Sequence, residues 1–188
     1  MKDNKVLQIF QDEWTDSPRE WDNLGTMAIF HRRYSFGDPV DFSSDDFDSW
    51  TEMEDYIKKD LNAAVVLPIY MYDHSGITIN TTGFNCPWDS GQVGFIYVTK
   101  QKLKEEYSVK RITKDVIKKA EKVLLDEVET MDQYITGDVY GYQVIKRSVE
   151  DGIFVEEILD SCSGFYGDDI ETNGILEYVD RTLLIDEL

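Results

Sequence analysis

The chain has 188 residues, with 38 Asp or Glu against 19 Lys or Arg, a formal net charge of −19. Such a charge repels nucleic acid and anionic membrane surfaces and attracts basic ones, while a content of 41% hydrophobic and 13% aromatic residues excludes an acidic disordered tail. No stretch reaches the roughly 18 apolar residues of a membrane span, the N-terminus lacks a signal-peptide core, and Cys86 and Cys162 form no CxxC pair, so the plain expectation is a cytoplasmic protein with reduced thiols.

In chain order, residues 5–12 read as a short strand, and 13–25, with Ser17-Pro18 and Gly25, as a loop. TMAIFHRRY (26–34) is β-branched and aromatic and reads as a strand, closed by Gly37-Asp38-Pro39. Within 41–61, Trp50, Met53, Ile57 and Leu61 fall at helical spacing; Asp48 or Ser49 can cap that helix, and Ser49 with Glu52 has the capping-box spacing. AAVVLPIYM (63–71) is a continuous apolar run, hence a buried strand, although Pro68 demands an edge or a bulge. Tyr72–Gly76 is turn chemistry, ITINTT (77–82) completes a hairpin, GFNCPWDSG (83–91) is a loop and QVGFIYVTK (92–100) a third strand. Thr99 caps a short helix to Glu106, and Thr113 a longer one to the region of Met131, with an apolar stripe of Val116, Ile117, Ala120, Val123, Leu124 and Val128. Residues 138–149 and 153–161 form a second hairpin, 163–169 a loop, and Asp168 or Asp169 caps a closing helix toward Leu184. The expectation is one α+β domain over 1–188, with an antiparallel sheet of about five to seven strands and three or four packed helices. A possible substructure divides it at 1–100 and 101–188.

The charge is unevenly spread: residues 1–60 hold 15 acids and 7 bases, 61–100 hold 2 and 1, 101–131 hold 7 and 8, and 132–188 hold 14 and 3. Two acidic segments therefore flank a near-neutral centre. The first contains Asp41, Asp45, Asp46, Asp48, Glu52, Glu54 and Asp55; the second contains Glu150, Asp151, Glu156, Glu157, Asp160, Asp168, Asp169, Glu171 and Glu177. Carboxylates fixed on helices and hairpins can imitate the phosphate row of a duplex and occupy a DNA-binding cleft. They can equally serve as a solvated face that prevents aggregation. Asp168, Asp169 and Glu171 lack EF-hand spacing and read as helix caps.

A second constellation sits in the neutral centre. Asp73, His74, Cys86 and Asp89 lie on two loops that a hairpin can bring together, as a nucleophile with its base and orienting acid or as a mixed ligand set. Each residue also has a sufficient turn or packing role. WDNLG (21–25) and CPWDSG (86–91) place Trp21 and Trp88 before glycine turns, as aromatic anchors of recognition loops or as rings packed down beneath an Asp-capped turn. His31-Arg32-Arg33 is the one compact basic spot of the N-terminal third; it can grip a phosphate or carboxylate, or neutralise nearby acids. GDVYGY (137–142) and SGFYGDD (163–169) match no phosphate-binding loop.

SPREWDNLGTM (17–27), HRRYSFGD (31–38), LPIYMYDHSGIT (67–78), CPWDSGQVGFIYV (86–98), DQYITGDVYGYQV (132–144) and DSCSGFYGDD (160–169) together resemble a family of small acidic accessory proteins of phages and plasmids of Gram-positive bacteria. The resemblance covers most of the chain and carries no catalytic signature. It implies a mobile-element gene that counters host defence, as anti-CRISPR and anti-restriction proteins do. The reading that follows is a non-enzymatic inhibitor with no cofactor and no metal. It would bind the nucleic-acid-binding surface of a basic host protein, a CRISPR effector or restriction enzyme, through the two acidic segments, with Trp21 and Trp88 adding specificity. The alternative is a small enzyme or nucleotide- or ligand-binding protein built on Asp73, His74, Cys86 and Asp89. A third reading is a regulatory module that binds a host protein without imitating DNA.

Overall fold

The apolar patterns resolve into seven strands and three α-helices in a computed structural model, which describes residues 4–150 and 152–184. The strands are β1 (Asn4–Gln11), β2 (Thr26–Ile29), β3 (Ala63–Asp73), β4 (Ile77–Asn80), β5 (Ser90–Thr99), β6 (Val139–Glu150) and β7 (Ile153–Tyr166). The helices are α1 (Trp50–Lys59), α2 (Lys100–Glu106) and α3 (Lys114–Thr136). The class is α+β as expected, but the strands divide between two antiparallel sheets instead of forming one. The chain forms two compact units, one joining residues up to Asp16 with those from Gly137 onward, the other comprising Ser17–Thr136.

In the larger unit the sheet order is β2-β5-β3-β4. The run Val93–Val98 is apolar throughout because both faces of β5 are covered. Ile96 and Val98 join Ala120, Leu124, Val128 and Met131 of α3 and Leu103 of α2, whereas Phe95 and Tyr97 join Met53 and Ile57 of α1. Gly94 is required where β2 crosses closest, since a Cβ there would lie 1.9 Å from the Ala28 carbonyl oxygen. Pro68 sits opposite Phe95, in the part of β3 that β4 leaves open, because β4 pairs only with Tyr70–Asp73. α1 starts at its expected cap, with Ser49 Oγ accepting from Glu52 N at 3.2 Å. Thr99 and Thr113 cap α2 and α3 in the same way. β2 stops at Ile29, five residues short of the expected strand, and α3 runs on to Thr136.

In the smaller unit the order is β1-β6-β7. Leu7, Tyr142, Val144 and Phe165 pack with Ile175 and Val179 from the C-terminal segment. That segment is not the expected helix but two short 3-10 turns, Ile175–Glu177 and Arg181–Leu184, the first entered through Gly174 at φ 95°. The expected 163–169 loop is largely strand, because β7 continues to Tyr166 with Gly164 (φ 86°) at a β-bulge. Among the described residues β1 pairs with β6 from Asn4 opposite Arg147 to Gln11 opposite Tyr140. No helix among the described residues is long and apolar enough to cross a membrane.

Candidate functional site

The larger unit holds its loops with half-buried polar clamps. The Arg19 side chain, only 7% exposed, makes a bidentate pair with Asp38 (Nη2–Oδ2 2.6 Å, Nε–Oδ1 3.0 Å). It also donates to Glu127 Oε2 on α3 at 3.0 Å and to the Gly25 carbonyl at 2.8 Å. Glu127 Oε1 accepts from Leu24 N at 2.7 Å, and Asp38 Oδ2 from Met27 N at 2.7 Å. Burial opposes the guanidinium charge, but the hydrogen bonds to Asp38 and Glu127 outweigh it and raise the Arg19 pKa above its ordinary value. Asp132 of α3 fastens β4 in the same manner, accepting from Thr78 Oγ1 at 2.8 Å and Ile79 N at 2.7 Å.

The same unit has a cleft of about 360 Å³. Its floor is Met71 and Val93, both part of the core beneath α3, with Gly91 opposite Met71. One wall is His31-Arg32-Arg33, beyond β2; another is Asp73 at the end of β3; Trp88, Asp89 and Ser90 lead into β5. Arg33 pairs with Asp73 and lies 5.3 Å over the Tyr34 ring. His31 stacks on Tyr34 at 5.2 Å and accepts the Arg33 N–H at Nδ1 (3.4 Å), which leaves Nε2 as the protonated nitrogen of the neutral ring. Partial burial, then Arg33 and Arg32, lower the His31 pKa and favour that neutral form. Arg32 has no ion pair among the described residues. The two arginines and two aspartates cancel, so this cleft is electrically balanced within a chain of net charge −19.

The hairpin does bring Asp73, His74, Cys86 and Asp89 together, with Asp89 as the hub. Asp73 N donates to the Asp89 carbonyl at 2.8 Å, His74 Nδ1 lies 3.3 Å from Asp89 Oδ2, and the Cys86 thiol donates to the same oxygen at 3.7 Å. The partner of the thiol is thus a carboxylate and not the imidazole. A Cys–His pair activates a nucleophile by handing its proton to the ring, and this geometry hands it to no base of that kind. Ser90 Oγ donates to the Cys86 carbonyl at 2.5 Å and closes the turn. No group of three or more His, Cys, Asp or Glu among the described residues is arranged to hold a metal.

Many of the sequence-selected acids have local partners. Asp46 accepts from Ser43 N (2.8 Å), Glu52 from Asp48 N (2.7 Å), and Asp169 from Glu171 N (3.0 Å). Glu54 pairs with Lys58 (2.5 Å), Asp55 with Lys59 (2.7 Å), Glu156 with Arg147 (2.8 Å) and Glu171 with Arg181 (3.0 Å). The hydrogen bond from Lys59 holds the Asp55 carboxyl below its usual range. Asp160 accepts from the buried Tyr142 hydroxyl at 2.9 Å. Asp41, Asp45, Glu150, Glu157 and Asp168 are exposed; Asp151 lies outside the described residues. Trp88 is 92% exposed and Trp21 about half exposed, so the Trp88 ring is not packed down beneath its turn. Sequence reasoning missed the apolar half of the β6–β7 hairpin: Ile153 and Phe154 are 67% and 78% exposed, and Val149, Ile158 and Leu159 accompany them. Their β-branched and aromatic character signalled a strand, and nothing in it distinguished a covered face from an open one.

No family model, curated protein or solved structure matches the chain.

Proposed function

We propose that this chain is a non-enzymatic acidic inhibitor that docks on the basic nucleic-acid-binding surface of a host defence nuclease, occupying the place of DNA. The observation that carries this reading is where the charge lies. Residues 1–16 with 137–188 hold 17 acids and 5 bases, net −12, whereas 17–136 hold 21 acids and 14 bases, net −7. The smaller unit thus carries most of the charge on fewer residues, and its hairpin interleaves Glu150, Glu156 and Glu157 with exposed Ile153, Phe154 and Ile158. Acids give steering and register, and exposed apolar side chains give contact area that holds a protein partner. Among the described residues β7 is also an edge strand, 14 residues long, and an edge strand can take up a further strand. The resemblance to accessory proteins of mobile elements fits an anti-CRISPR or anti-restriction role.

The test is capture of partners from a bacterial lysate by the tagged chain at low and high salt, with competing duplex DNA. The expected result is a nuclease retained at low salt and displaced by both salt and DNA. Retention of partners indifferent to DNA and salt would refute mimicry.

A further inference from the structure

The cleft on the larger unit has a composition that docking on a nuclease does not require. An exposed indole is left in water at Trp88, 92% exposed, on the rim of a pocket. Arg32 faces the same pocket without an ion pair among the described residues, although the chain has twice as many acids as bases. An arginine left without a carboxylate in such surroundings has a guanidinium available for an incoming anion. Beside it, His31 is neutral with Nδ1 occupied by the Arg33 N–H, so Nε2–H is a second donor. Asp73 and Asp89 contribute acceptors; Asp73 pairs with Arg33, and Asp89 Oδ2 lies 3.3 Å from His74 Nδ1 and accepts from the Cys86 thiol. The volume, about 360 Å³, lies in the small-molecule range.

We propose that this cleft binds a nucleoside monophosphate, with the base stacked on Trp88, the phosphate held by Arg32 and His31, and the sugar hydroxyls donating to Asp89 and Asp73. An indole face accepts any base, a guanidinium matches a phosphate with two parallel hydrogen bonds, and carboxylates accept from vicinal hydroxyls. Gly91 is part of the design: it lies opposite Met71 on the cleft floor, and a Cβ there would meet no atom within 4 Å, so its lack of a side chain keeps the floor open and serves no packing need.

The test is isothermal titration of the full chain with the 5′-monophosphates of adenosine, guanosine, cytidine and uridine, alongside inorganic phosphate and adenosine as partial probes. The expected result is saturable binding of at least one monophosphate with Kd on the order of 10 μM, and binding of either partial probe weaker by about tenfold or more. Arg32→Ala and Trp88→Ala, both at exposed positions, should each weaken binding by about tenfold with an unchanged melting temperature. Gly91→Phe should fill the floor and abolish binding. Absence of saturable heat with all four monophosphates at millimolar concentration would overturn the proposal. So would binding that survives Arg32→Ala and Trp88→Ala together, or phosphate alone binding as tightly as the nucleotide.

Discussion

Arg19 shows how one side chain organises a region. It joins Asp38, Glu127 and the Gly25 carbonyl in a half-buried network, so its removal leaves two carboxylates without counter-charge. Arg19→Leu should lower unfolding stability by about 3–5 kcal/mol, as breaking a buried ion pair does; urea denaturation of the two chains checks it. Tyr142 sets a second prediction. Burial, and then its hydrogen bond to Asp160, push the phenol up to about 12. The unfolded value is near 10, so this stabilisation is fully present below about pH 10 and is lost as pH rises through the folded value. Unfolding stability of the wild type should fall in that alkaline window more steeply than that of Tyr142→Phe; parallel curves would refute it. Neither clamp was legible beforehand, because a lone Arg or Tyr in the sequence says nothing of the distant acid that meets it. His31-Arg32-Arg33 was legible as a basic spot with two readings; Arg33 pairs with Asp73, while Arg32 has no ion pair among the described residues.

Elements with a strong period and a cap were readable. The Trp50–Met53–Ile57 stripe behind Ser49, the Thr99 and Thr113 caps and the uninterrupted apolar run of β5 all appear where local chemistry places them. Division into two sheets was not readable, since register and partner choice are long-range: β1 pairs with β6 across more than a hundred residues. Glycine misled the reading of 163–169, where Gly164 serves a bulge within a strand and not a turn. The hairpin carries its own prediction. Its tip carries exposed side chains at Val149, Ile153 and Phe154, whereas Tyr142 and Val144 are buried. Backbone amides of 148–150 and 153–155 should exchange with deuterium far faster than those of Tyr142 and Val144. Equal protection would show that this tip is held by something other than its own ladder. Phe154 remains exposed there, so Phe154→Ser should leave stability nearly unchanged while weakening partner capture.

At the scale of the molecule, chemistry is divided between the units. The smaller holds 17 acids and 5 bases with an exposed apolar hairpin; the larger holds a balanced cleft above a well-filled core. The acidic count was plain in the sequence, but its commitment was not. Asp46, Glu52 and Asp169 accept backbone N–H groups, and Glu54, Asp55 and Glu156 face basic neighbours, so their contribution to an outward field is reduced. The proposed docking therefore falls chiefly to exposed acids such as Glu150, Glu157 and Asp168. The measurement that tests it most directly is the same lysate capture with the variant Glu150→Gln/Glu157→Gln/Asp168→Asn beside the unaltered chain. The account predicts a folded variant, with an unshifted melting temperature, that no longer retains the salt-sensitive nuclease. Retention of the same nuclease at the same salt dependence would contradict it.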